Sequence, residues 1–285
     1  MNNDVKGKDK KVDDTFSITM ELERPLLYDK VDESIKNSKD INKNNHKYRL
    51  KALIGVLGVL IIGFLIWANM SYEPQSLAKE SLISNDLVEV NTDEFITFTP
   101  KNKKVTKGFI FYPGAKVEPE SYAPLCKKIA ESGYEVAIVP MPLNLAVLGI
   151  NKGEKIIEKY PNVESWAVGG HSLGGVMASN FAVKNNMVDG VVFLASYPMG
   201  DDLKKIGKDA LSIWGSKDGV MNFKNLVESK EKLPLDTTYV EIEGGNHSQF
   251  GDYGKQNSDN DAIISEQKQL KITTDNIIKF INNMN

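Results

Sequence analysis

The order of apolar and polar positions divides the chain into a polar head, one long apolar run and an alternating C-terminal region. Residues 1–51 mix both charge signs with Asn-rich runs such as Asn42-Lys43-Asn44-Asn45. They hold too little apolar surface to offset the entropy of ordering, which predicts a disordered tail. Within it only the patch from Ile18 to Tyr28, with Leu22, Leu26 and Leu27, has the makings of a short amphipathic element. From Ala52 to Tyr72 no side chain is charged. A run of this length crosses a bilayer core, which takes about 20 residues at helical rise, so residues 52–72 are expected to form a transmembrane helix. Residues 73–90 follow as a linker with helical character.

A globular domain is expected over residues 91–285. Phe95 to Thr99 alternates as an edge strand would, and Gly108 to Tyr112 is a short buried strand. Tyr122, Leu125, Cys126, Ile129 and Ala130 share one helical face, and Gly133 ends that helix. The strand Val136 to Val139, a helix around Ile156, Ile157 and Tyr160, and the strand Trp166 to Val168 come next. After a glycine-rich turn a helix buries Val176, Met177, Phe181 and Ala182. The strands Val191 to Ala195, Leu211 to Trp214 and Tyr239 to Ile242 follow, with helices around Phe223 to Leu233 and Ala262 to Ile281. Short, fully apolar strands alternating with helices predict an α/β fold, a mostly parallel sheet covered by helices on both faces. Between Ser196 and Ala210 there is room only for a loop or a small helix, so no large lid is expected.

Charge fixes the expected topology. Lys43, Lys47, Arg49 and Lys51 crowd the N-terminal side of the apolar run, and Glu73 is the first charge after it. The positive-inside rule then puts the N-terminus in the cytoplasm and the C-terminal domain outside. Trp67 and Tyr72 suit the outer interface, and Ala68-Asn69-Met70 is a poor cleavage site, which favours an uncleaved anchor in the cell membrane over a signal peptide. A net charge of −3 argues against nucleic acid as a partner, since phosphate binding needs a concentrated excess of Lys and Arg. The single cysteine, Cys126, excludes an intramolecular disulfide framework and any multi-cysteine metal site. Its place on an apolar helix face predicts a packed thiol.

The candidate chemistry centres on Gly169-Gly170-His171-Ser172-Leu173-Gly174-Gly175. Gly170-x-Ser172-x-Gly174 between a strand and a helix fits a nucleophile elbow, which lifts a serine hydroxyl above the end of a sheet. Serine is a weak nucleophile and needs an imidazole to take its proton and a carboxylate to hold that imidazole. Of the three histidines, His46 lies across the expected span, and His171 would normally point away from its neighbour. His247, after the last strand in Gly244-Gly245-Asn246-His247, is left as the base. Asp218, just beyond Trp214 at a strand end, is favoured as the orienting carboxylate over Asp201, Asp202, Asp209 and Asp252; Asp252 is expected to cap or orient the loop of His247. Amide donors for a developing oxyanion are available at Leu173 and, in the turn Tyr112-Pro113-Gly114-Ala115-Lys116, at Ala115. Met141 to Ala146 is placed to line an acyl pocket or simply to pack.

Together the segments 112–117, 141–146, 169–175, Trp214-Gly215-Ser216-Lys217-Asp218 and 244–254 resemble the alpha/beta-hydrolase superfamily, and within it a compact, lidless bacterial family. The resemblance spans roughly residues 90–285. It implies Ser172, Asp218 and His247 as a triad, Ala115 and Leu173 as the oxyanion hole, and no metal or organic cofactor. Because superfamily members include esterases, lipases, thioesterases, peptidases and dienelactone hydrolases, the fold does not choose a substrate. The expectation is a membrane-anchored serine hydrolase that cleaves small carboxylic esters through an acyl-enzyme. A non-catalytic module binding a cell-envelope ligand, and an acyltransferase or thioesterase using the same triad, stand as alternatives. No role is assigned to the long segment from Gln249 to Asp261.

Overall fold

A computed structural model of the chain describes residues 46–67, 70–101 and 103–284. The expected tail patch Ile18 to Tyr28 lies outside these residues. The chain divides into two units, Met1–Leu65 and Ile66–Asn285. The described residues of the first belong to one helix, α1, His46–Trp67, whose most apolar 18-residue window has a mean hydropathy of 2.4. At helical rise its 22 residues extend about 33 Å, enough for a hydrocarbon core of about 30 Å. The helix begins ahead of the expected 52–72 because Lys47, Arg49, Leu50 and Lys51 are good helix formers and continue its N-terminal turns. Residues 46–51 are therefore helical, not part of a disordered tail.

In the second unit the stretch 73–90, expected as a linker, is largely structured. It carries helix α2, Ser76–Ser81, with Ala78 and Ser81 buried, and the first residues of strand β1, Val88–Asn91. Strands β2, Ile96–Pro100; β3, Lys107–Tyr112; and β4, Glu135–Ile138, follow, with helix α3, Ala123–Glu131, before β4. Then come α4, Gly153–Lys159; β5, Ser165–His171; α5, Leu173–Lys184; β6, Val188–Leu194; and α6, Asp202–Ile206. The chain closes with β7, Asp209–Gly215; α7, Phe223–Ser229; β8, Thr238–Ile242; and α8, Glu266–Asn283. The eight strands form one sheet in the order β1-β2-β4-β3-β5-β6-β7-β8. β2 runs antiparallel to both β1 and β4, and every pair from β4 through β3 to β8 is parallel. Phe95 to Thr99 is thus not an edge: β1 lies outside it, and the polar Thr97 is buried between the two neighbours.

Alternation along the parallel strands sorts side chains onto two faces. Phe109, Phe111, Ala167, Val192 and Leu194 pack with Ile129 of α3 and Ile277 and Ile281 of α8. Ile110, Tyr112, Trp166, Val168, Val191 and Phe193 pack with Ile156 of α4 and Met177 and Phe181 of α5. A strand buried on both faces must be apolar at every position, which is why these strands read as unbroken runs. Each large side chain so buried is worth about 1.5–3 kcal/mol, and the central strands carry most of them. The rigid centre is what positions the loops at the C-terminal ends of β3, β5, β7 and β8. Between β6 and β7 the chain forms only a loop and α6, a five-residue helix.

Candidate active site

β5 ends in Gly169-Gly170-His171 and α5 begins at Leu173, so the single residue between them, Ser172, must reverse the chain. It does so at φ 53°, ψ −122°, a backbone conformation that a residue with a side chain adopts at a cost of about 1–3 kcal/mol. The surroundings hold it there. The Ser172 amide donates to Leu194 O at 2.9 Å, and the Ser172 carbonyl accepts from the Ser196 hydroxyl at 2.7 Å. Gly174 permits the first turn of α5 to press on the end of β3, since a β-carbon there would collide with the carbonyl oxygens of Tyr112 and Pro113. The serine side chain stands half-exposed at the top of the sheet.

Asp218 and His247 meet from two other strand ends. Asp218 follows β7 and His247 follows β8, and both are buried. Asp218 Oδ2 lies 2.7 Å from His247 Nδ1, while Oδ1 accepts the amides of Val220 at 2.8 Å and Met221 at 2.7 Å. A carboxylate only accepts, so the shared proton sits on Nδ1 and the lone pair of the imidazole is on Nε2. Nε2 is buried and has no hydrogen-bond partner among the described residues. No hydrogen bond joins it to the Ser172 hydroxyl among the described residues. Such bonds are commonly long in an unliganded site and close when substrate binds.

A second carboxylate, which sequence reasoning passed over, braces this pair. Asp259 is buried, and its Oδ1 accepts the amides of Gly219 at 3.0 Å, Asn260 at 2.9 Å and His247 at 3.4 Å. Its Oδ2 accepts the Ser248 amide at 2.8 Å and the Ser248 hydroxyl at 2.6 Å. One side chain therefore ties the loop after Asp218 to the loop of His247. It belongs to the segment Gln249 to Asp261 to which no role was assigned. Its only sequence signal is an acidic residue in a loop too long to be needed as a connection.

The turn after β3 presents the remaining polar groups. Among the described residues neither the Ala115 amide nor the Leu173 amide has an acceptor. Lys116, beside Ala115, sits at φ 60° and donates its amide to Asn144 O at 2.9 Å. This gives Met141 to Ala146 a definite contact, with the turn. The Gly114 amide donates to the Tyr122 hydroxyl at 3.1 Å, and the phenol in turn lies 2.9 Å from His171 Nδ1. A β-carbon at Gly114 would stand 2.8 Å from that hydroxyl and 2.9 Å from Nδ1, so only glycine fits here. His171 packs against His247 with ring centroids 4.4 Å apart and the ring planes tilted by 51°. Burial first, and the neighbouring His247 second, hold its pKa well below the ordinary histidine range. His171 is a neutral packing partner.

The other expected candidates lie elsewhere. Asp201 and Asp202 are exposed and pair with Lys205. Asp209 starts β7, at the opposite end of the strand from Asp218. Asp252 does not face His247: its Oδ2 accepts the Ala78 amide at 2.6 Å and caps α2 from outside. His46 is the first residue of α1. Cys126 is fully buried, and burial pushes its thiol pKa well above the usual value.

A family model described as the alpha/beta hydrolase family matches residues 108–271, more than half of the 285 residues. No curated protein matches the chain. Among solved structures, the chain is similar to a thermostable esterase from Pseudomonas putida (TM-score 0.52, 14% identity, 72% of this chain and 87% of that one). It is likewise similar to an esterase from Pyrobaculum calidifontis (0.52, 16%, 71% and 88%). A third is the esterase domain of a Rhodothermus marinus protein (0.51, 9%, 66% and 92%). At these identities the likeness is one of fold.

Proposed function

We propose, for a chain that belongs to the alpha/beta hydrolase family, a membrane-anchored serine hydrolase that cleaves small carboxylic esters. The observation that carries this reading is the buried Asp218–His247 bond of 2.7 Å, which leaves the Nε2 lone pair unpartnered among the described residues, together with the strained elbow that presents Ser172. In the proposed reaction His247 Nε2 takes the hydroxyl proton as Ser172 Oγ attacks the ester carbonyl. Asp218 stabilises the imidazolium without itself taking the proton. The amides of Ala115 and Leu173 receive the negative charge that develops on the carbonyl oxygen, where each donor is worth about 100 to 1000-fold in rate. His247 then protonates the leaving alkoxide. Water, deprotonated by the same nitrogen, releases the acid and restores the serine. The fold neighbours named as esterases agree with this substrate class.

The short β6–β7 connection, where α6 is all the helix there is, supplies no large lid. A long acyl chain finds no lid to bury it and loses conformational entropy on being ordered, so short acyl chains are favoured. Acetate and butyrate esters are therefore expected to be turned over at least tenfold faster than palmitate esters or long-chain triglycerides at equal monomer concentration. Faster cleavage of the long-chain substrates overturns the lidless reading.

The anchor reading rests on the length and hydropathy of α1 and on the basic residues Lys43, Lys47, Arg49 and Lys51 ahead of it. Protease added to intact cells is expected to remove the hydrolase unit and spare the N-terminal segment. Protection of the whole chain contradicts that orientation.

A further inference from the structure

Tyr72 lies outside the matched residues 108–271, yet it is bonded to the turn that carries Ala115. Its amide donates to Lys116 O at 2.7 Å, and its carbonyl accepts the Glu118 amide at 3.0 Å, a parallel bridge that adds one residue of pairing to the turn's exit. Ser71 Oγ adds a bond to Glu118 Oε1 at 2.9 Å. The Tyr72 side chain reaches the other half of the site. Its hydroxyl accepts the Asn257 amide at 3.0 Å, and its ring lies 5.6 Å from that of Tyr253. Tyr253 in turn packs 6.4 Å from the rings of both Tyr122 and His171. Beyond Tyr72 the strap continues through Gln75, whose amide donates to Asp252 O at 2.8 Å, into α2.

We propose that Tyr72 is a positioning residue for the oxyanion turn. The inference rests on the serine-hydrolase reading above. Lys116 holds a left-handed backbone at φ 60° and is fixed on both sides, by Asn144 at its amide and by Tyr72 at its carbonyl. Removing Tyr72 frees one of those sides and lets the turn relax toward conformations that a lysine prefers. The Ala115 amide then leaves the place where a developing oxyanion needs a donor, within about 2.7–3.1 Å. Substrate binding in the ground state asks much less of that donor. The loss accordingly falls on kcat and leaves KM nearly unchanged.

The test uses the full chain in membranes with a specific protease site built in at one of two places, so that the domain is folded before it is cut. Cutting ahead of Ser71 releases a domain that keeps the strap; cutting between Glu73 and Pro74 releases one that has lost Ser71 and Tyr72. With a short soluble ester, the first fragment is expected to keep kcat within about twofold of the uncut protein. The second is expected to lose at least tenfold in kcat with KM within about twofold, a split that follows from loss of transition-state stabilisation alone. The downfield proton resonance of the Asp218–His247 bond, which Tyr72 does not touch, is expected to persist in both fragments. Equal kcat in the two fragments overturns the proposal, and so does a loss of kcat accompanied by loss of that resonance, which marks general loosening. An uncut protein that turns over no ester instead overturns the hydrolase reading on which the proposal rests.

Discussion

Replacing Ser172 by alanine is expected to lower the turnover of a short ester by about a millionfold, to the level left by binding and oxyanion stabilisation alone. The reason is chemical, because no other hydroxyl occupies the elbow between β5 and α5. The fold is expected to survive. Ser172 is held by its backbone, through Leu194 O and the Ser196 hydroxyl, and alanine keeps both bonds. Alanine also inherits the strained φ of 53°, so the melting temperature should move by no more than a few degrees. Steady-state kinetics beside a thermal melt checks both halves. A variant that keeps more than a hundredth of wild-type kcat means that a different nucleophile does the work.

Asp218→Asn is the second large effect, about 10,000-fold in kcat, and its cause is the tautomer. Asparagine can keep an oxygen toward the amides of Val220 and Met221, which places its NH₂ group opposite His247 Nδ1. A donor there forces Nδ1 to accept, the ring proton moves to Nε2, and the lone pair that should receive the serine proton is gone. Stability changes little because the loop's own bonds remain. Asp259→Ala makes the contrast: it strips one acceptor from the amides of Gly219, Asn260, His247 and Ser248, so stability and kcat fall together. A loss of about 3 kcal/mol is the size expected for several buried donors left unpaired. Equal effects of Asp218→Asn and Asp259→Ala on melting temperature contradict this division of roles.

How much of the site could be read from the sequence depended on how local its cause is. The elbow was legible because strand, turn and helix are contiguous and the glycines around Ser172 are there for backbone clearance. Asp218 was separable from Asp201 and Asp202 because a position just past a buried strand differs in kind from an exposed helix start. Asp259 was not legible: it acts on loops that precede it in the chain, and nothing in its own neighbourhood announces those partners. Tyr122 read as one apolar position on a helical face, and its buried hydroxyl bond to Gly114 appears only once the sheet brings the turn to it. β1 escapes a reading of the sequence because its alternation, Val-Glu-Val-Asn, is only four residues long and buries Val88 alone. Phe95 to Thr99 was placed at an edge for the same reason. A strand whose neighbour is invisible in the sequence looks like the end of the sheet.

The central claim is that Ser172 is an activated nucleophile, and the most direct measurement is covalent labelling of the full-length protein in detergent with a fluorophosphonate probe. The probe reacts only with a serine whose hydroxyl is deprotonated as it attacks and whose adduct is held by amide donors. One adduct per chain on the peptide that contains Ser172, absent from Ser172→Ala and from His247→Ala, is the result expected. A folded wild-type protein that takes no label, or takes it at another serine, contradicts the account and leaves a hydrolase fold that binds without turnover.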